Sequence, residues 1–203
     1  MLYKNEQKYR NKYDIITGVD EAGRGPLAGP VVVAAVIMEP EIRIEGLNDS
    51  KKLSANKREE LYEIIINSVE DWNIEIISPA IIDEINILQA TLLGMEKAVL
   101  NLKFKPDICL IDGNKIPKKI EHFSEAIIKG DGKLASIAAA SILAKVTRDR
   151  IMIDIHHEHP EYNFLKNKGY PTKEHLAAIK KFGILPFHRK TYRPVLEYIL
   201  NCG

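Results

Sequence analysis

Residues 15–38, IITGVDEAGRGPLAGPVVVAAVIM, hold two apolar, β-branched runs separated by a glycine- and proline-rich stretch. Short runs of this kind, bounded by turn residues, read as strands. They predict one strand over 14–20 (DIITGVD), a second over 29–38 (GPVVVAAVIM) and a tight loop over 22–30. Further along, 73–78 (NIEIIS) and 107–112 (DICLID) read as strands, and 125–129 as a weaker one. Between them the apolar spacing turns helical. Residues 54–69 have Ser54 as N-cap and Leu61, Ile64, Ile65 and Val69 at three- and four-residue steps. Residues 86–102, 133–157, 172–182 and 194–200 read as helices too, with an alanine-rich first half in 133–157 and Gly183 ending 172–182. Strands first, then helices alternating with strands, specify an α/β fold with a mixed sheet flanked by helices. We expect a body over 1–161 and a small helical appendage over 162–203 packed on the same domain.

Composition supports a globular chain. The 203 residues are 45% hydrophobic and 28% charged with a net charge of +1, which excludes general disorder. A chain of this length buries roughly 70% of its unfolded surface and needs no disulfide or metal to fold. Twelve Gly without a triplet period and ten scattered Pro exclude collagen and coiled coil. Cys109 and Cys202 are too few for a disulfide framework, and Cys109 sits in an apolar run as an ordinary buried thiol. No apolar run approaches the ~20 residues of a membrane span, and no signal-peptide stretch opens the chain. The expectation is a cytoplasmic monomer. The charge is unevenly spread: residues 164–194 carry eight Lys or Arg against the single acid Glu174, which leaves 21 bases and 27 acids in the other 172 residues. A basic segment on an otherwise acidic chain fits a polyanion contact or a solvated lysine-rich surface.

The chemistry concentrates where apolar strands end. Asp20-Glu21 closes the first strand, and the ends of sheet strands are where α/β proteins gather ligands. Neighbouring strand residues face opposite ways, so both acids share a site only if Glu21 lies in the turn. Asp112 closes the run ICLI, whose continuous apolarity suggests a strand buried on both faces. Asp131 precedes the longest helix, where a carboxylate favours the helix dipole. Four acids so placed suit hard divalent metals, Mg2+ or Mn2+, in preference to zinc. Paired ions of that kind cleave phosphodiesters by in-line attack. The loop Gly23-Arg24-Gly25-Pro26-Leu27-Ala28-Gly29 is not a dinucleotide fingerprint, because it has one spacer too many and opens into a strand. Its glycines let backbone approach a ligand closely, with Arg24 as a fixed positive charge beside the acids.

Five segments together, GVDEAGRGPLAGPVVVAAVI, LNDSKKLS, LIDGNK, KGDGKLASIAAASILAKVTRDR and KGYPTKEH…HRKTYRPV, resemble bacterial ribonuclease HII from about residue 15 to residue 195. The resemblance implies a ribonuclease H-like fold with a C-terminal helical segment. It implies an endonuclease that cuts the RNA strand of RNA–DNA hybrids and incises 5′ of single ribonucleotides in duplex DNA, leaving a 3′-hydroxyl and a 5′-phosphate. Carried over residue by residue, the acidic quartet falls on Asp20, Glu21, Asp112 and Asp131 as catalytic metal ligands. The Gly-Arg-Gly motif falls on Gly23, Arg24 and Gly25, and the substrate-sensing tyrosine on Tyr170. The 2′-hydroxyl is the group that separates RNA from DNA locally, and a glycine loop can sense it with backbone groups.

Other polar residues read less specifically. Ser141, Lys145 and Arg148 share a helical face, which suits phosphate binding or a solvated outer surface. Asn48, Ser50, Lys51 and Lys52 compose a loop that is a second phosphate contact or a plain turn. Lys166, Lys168, Lys173 and Lys180 are expected to track the duplex backbone, with salt-sensitive binding. His156, His157 and His159 favour a helix end more than a zinc site, and His175 and His188 receive no chemistry. The rival to a nuclease is a non-catalytic nucleic-acid-binding module, and a pure binder should not gather carboxylates where phosphates approach. Ribonuclease HIII, the nearest neighbour of the family, carries an extra N-terminal domain, against about 14 residues before the first strand here.

Overall fold

The first two strand readings form the centre of the molecule. In the computed structural model, which describes residues 1–202, β1 (Ile16–Ala22) and β2 (Val31–Ile37) pair antiparallel across the glycine loop, from Thr17 opposite Ile37 to Ala22 opposite Val32. All seven β2 residues are buried, as expected of an apolar run covered on both faces. β3 (Asp71–Ile77) adds antiparallel to β2, while β4 (Ile108–Asp112) lies parallel to β1 and β5 (Ser124–Ile127) parallel to β4. The five-stranded mixed sheet runs β3-β2-β1-β4-β5.

Helices cover both faces. The chain opens with α1 (Leu2–Arg10), and α2 (Ala55–Ser68) is capped by Ser54, whose Oγ accepts from the Lys57 N–H. α4 (Ala135–Glu158) packs with Leu61 and Ile65 of α2 on the face that carries Val32, Ala34 and Val36. On the opposite face, Met95, Ala98 and Val99 of α3 (Pro79–Leu100) pack on Val19, Val33 and Ala35. Each large aliphatic side chain buried in such layers contributes about 1.5–3 kcal/mol. Gly18 lets α4 lie flat on β1, since a Cβ there would run into the backbone of Ser136 and Ile137. The small residues Ala138–Ala140 complete that close approach.

Two helical pieces go beyond the sequence reading. α1 lacks an apolar repeat, and its Glu6 earns burial by accepting from the N–H and Oγ of Ser136. α3 begins seven residues earlier than expected, with Ser78 as N-cap and Pro79 in the first turn. It breaks at Asn86 (φ 66°, ψ 163°). The Asn86 Oδ1 then caps Leu88 and Gln89, so the expected start at 86 is the start of its second half.

The C-terminal elements, α5 (Phe164–Asn167), α6 (Lys173–Phe182) and α7 (Arg193–Cys202), pack on the glycine loop. Tyr162, Phe164, Ala178, Ile179 and Val195 form one buried cluster with Leu27, Ala28 and Met152. Thr172 caps α6 and Gly183 ends it at φ 90°. Cys109 is a buried free thiol, and the Cys202 side chain lies outside the described residues. Among the described residues no helix is long and apolar enough to cross a membrane.

Candidate active site

The sheet topology brings the acids together. β1, β4 and β5 are mutually parallel, so their C-terminal ends share one edge of the sheet. Val19 pairs with Ile111, which places Asp20 beside Asp112 on strands about 4.8 Å apart and on the same face. Asp131 follows β5 in the short turn before α4. Asp20 is 4% exposed and Asp131 is buried as well.

Glu21 departs from expectation. It belongs to β1, paired with Val33, and not to the turn. It still lines the same cavity as Asp20, a cleft of about 170 Å³. The reason is the unequal length of the strands: β4 ends at Asp112, so on that side no neighbour walls off Glu21.

Burial and mutual repulsion control these acids. The Asp20 carboxyl is pushed well above the usual range by burial, then by the charges of Glu21 and Asp112. Glu21 is raised by burial, with Arg24 pulling the other way. Burial raises Asp112 despite the Gly130 N–H that its Oδ1 accepts at 2.6 Å. Lys51 Nζ lies 3.0 Å from Asp131 Oδ2, and its own pKa rises through that bond.

The same cavity is lined by Gly23, Ser50, Lys51, Ser141, Lys145, Arg148 and Tyr170. Ser141 Oγ meets Ser50 Oγ at 2.9 Å, and the Ser141 hydroxyl works against the burial that raises Asp20. Lys145 pairs with Asp149 at 2.6 Å. Tyr170 is 46% exposed at the rim, and its ring stands 3.4 Å from where a Gly25 Cβ would lie. Arg24 is exposed, with Nη1 3.5 Å from Glu21 Oε1. The Asn48 side chain accepts from the Asp49 N–H, tightening the turn that delivers Ser50 and Lys51. Lys52, Lys166, Lys173 and Lys180 are exposed, whereas Lys168 is half-buried.

Arg148 corrects the sequence reading. It is 1% exposed, and it donates to the carbonyls of Pro30, Ala28 and Lys168 at 3.0–3.1 Å. Burial lowers its pKa to about 10. A guanidinium so engaged holds the glycine loop instead of meeting a phosphate. Gly23 (φ 99°) is required beside it, because a Cβ there would overlap the Arg148 side chain.

The sequence reading missed a second such residue. Arg189, counted among the surface bases, is 0% exposed and donates to the carbonyls of Gly23, Arg24 and Gly29. Tyr192 OH accepts from Arg189 and donates to the Arg24 carbonyl at 2.7 Å. Asp83 anchors the following turn through the N–H groups of Lys190 and Thr191. The one available signal was the company Arg189 keeps, with Phe187, His188 and Tyr192 around it.

The donor set fits a hard divalent cation. It is all carboxylate oxygen, with three members raised by burial, and a cation relieves the repulsion that burial intensifies. As oriented here, no three His, Cys, Asp or Glu among the described residues stand close enough to share one ion. The acids turn instead to the Gly130 and Gly132 N–H groups and to Lys51.

Comparison with known proteins settles the lineage. The sequence model of ribonuclease HII matches residues 17–195. The chain belongs to the ribonuclease HII family. A ribonuclease HII of Endomicrobium trichonymphae is 51% identical over 199 residues, covering 98% of this chain and 95% of that protein. One from Francisella philomiragia is 55% identical over 181 residues, covering 89% and 97%. The crystal structure of the ribonuclease H2 from Pyrococcus horikoshii superposes with a TM-score of 0.78 at 29% identity, over 92% of this chain and 98% of that one. The expected ribonuclease H-like fold is therefore present, and the chain is an endonuclease of the ribonuclease H type. The span matched by the ribonuclease HII family contains all four acids, the glycine loop, Tyr170 and Arg189.

Proposed function

We propose that this ribonuclease hydrolyses the RNA strand of RNA–DNA hybrids and incises 5′ of single ribonucleotides in duplex DNA, leaving a 3′-hydroxyl and a 5′-phosphate. The observation that carries the reading is the convergence of Asp20, Glu21 and Asp112 beside a backbone loop, since phosphodiester cleavage needs the first and 2′-hydroxyl sensing the second. Asp20, Glu21, Asp112 and Asp131 would hold two divalent ions, Mg2+ or Mn2+. When bound, such ions supply an activated water and neutralise the leaving 3′-oxygen of an in-line displacement. The chain's own groups do the rest. Ser141 and Ser50 hold Asp20 facing the cleft, and Lys51 and Arg24 bring positive charge to the approaching phosphate. The Gly23–Gly25 backbone meets the ribose, and Tyr170 offers its ring to the neighbouring sugar. Exposed Lys166, Lys173 and Lys180 of a C-terminal basic segment over 162–203 track the duplex, and the enzyme works as a cytoplasmic monomer.

The test is incision of a labelled DNA duplex carrying one ribonucleotide, with Mg2+ or Mn2+ present. A single cut on the 5′ side of the ribonucleotide, with all-DNA duplex left whole, is the expected result. Cleavage of the all-DNA duplex would overturn the reading.

A further inference from the structure

The glycine loop has no ladder of its own, so its backbone groups need partners elsewhere. Arg189 and Arg148 take six carbonyls between them: those of Gly23, Arg24 and Gly29, and those of Ala28, Pro30 and Lys168. Among the described residues no peptide bond is cis. In a trans peptide the N–H of the next residue points opposite to the carbonyl, so each grip also aims an amide away from the guanidinium.

Two of those amides stand apart from the rest. The Gly29 N–H goes to the Phe187 carbonyl and the Gly169 N–H to Asn167 Oδ1. Position 30 is proline, which has no N–H, and Val31 enters β2. There remain the N–H groups of Arg24 and Gly25, which donate to none of the described residues. The Arg24 guanidinium reaches Glu21 at 3.5 Å, and the Tyr170 ring lies beside Gly25.

We infer that Arg189 is a positioning residue: by gripping the Gly23 and Arg24 carbonyls from inside, it presents the Arg24 and Gly25 N–H groups outward as the donor pair that reads the ribonucleotide. This rests on the ribonucleotide-incising reading above and adds to it the part that fixes specificity. Tyr192 OH gives the Arg24 carbonyl its second partner. The guanidinium fork is what the geometry demands, because a lysine places one point charge where two diverging donor groups stand.

The experiment compares wild type, Arg189→Lys and Tyr192→Phe. It measures kcat/KM on duplex DNA with one ribonucleotide, Kd for the same duplex in all-DNA form, and the thermal midpoint. We expect Arg189→Lys to lower kcat/KM about tenfold or more, as loss of one charge-assisted hydrogen bond does, with all-DNA affinity within about twofold. Tyr192→Phe, which removes one hydroxyl and opens no cavity, should lower it about two- to fivefold at an unchanged midpoint. Should the lysine variant fail to fold, Tyr192→Phe decides. Wild-type kcat/KM in the variants, or equal losses of kcat/KM and all-DNA affinity, would overturn the inference. A wild type that does not cut at the ribonucleotide would instead overturn the reading beneath it.

Discussion

Asp20 lies buried beside Glu21 and Asp112, and each carboxyl raises the cost of charging its neighbour. Far along the same chain, Arg148 and Arg189 lie equally buried, yet each is ringed by backbone carbonyls that accept from its N–H groups. One region keeps negative charge under tension. The other hands the donor groups of its cations to backbone carbonyls. The difference separates a site prepared to receive a cation from a scaffold that holds a loop in place, and substitutions at Asp112 and at Arg148 should fail in opposite ways.

Asp112→Asn should abolish incision, by on the order of 10³-fold. Its thermal midpoint should hold or rise, because a repelling charge is gone while an oxygen remains for the Gly130 N–H. A fall in midpoint matching the loss of rate would erase the contrast. Arg148→Met should do the reverse. Orphaning three buried carbonyls costs about 4 kcal/mol of stability, read as a lowered denaturation midpoint, and incision should survive in the fraction that stays folded.

A third test uses the buried pair behind the loop. His188 Nδ1 accepts from the Leu185 N–H, its Nε2 meets His175 Nε2 at 3.0 Å, and His175 Nδ1 meets the Tyr170 carbonyl at 2.9 Å. The chain of bonds works with both rings neutral. Burial, then the neighbouring His175, lowers His188 to about 4. An unfolded histidine takes its proton near ~6.5, so between those values the unfolded state binds protons that the folded state refuses. The contribution of His188 is full above pH ~6.5 and declines by about 3 kcal/mol as pH falls towards 4. Thermal melts from pH 7 to 4 should show that decline, flattened in His188→Gln; an identical slope in the variant would remove the histidine pair as its source.

The contrast also marks how far the sequence could be read. Strands β1, β2 and β4 and the acids that end them were legible because apolarity and turn residues are local signals. Glu21 was misplaced because its freedom comes from β4 stopping short, a property of the neighbouring strand. Arg148 and Arg189 looked like surface cations because their partners are carbonyls, which no residue letter records and which lie up to 166 positions away. Glu6 was silent for the same reason: its partner, the start of α4, is 130 residues distant. The first half of α3 did carry a signal, Ser78-Pro79, that an apolar count passes over.

Whether the acids hold hard divalent cations is tested most directly by Mn2+ binding followed by electron paramagnetic resonance. Wild type should bind Mn2+ saturably, and Asp112→Asn should bind it at least tenfold more weakly. Equal binding by the two proteins would contradict the account.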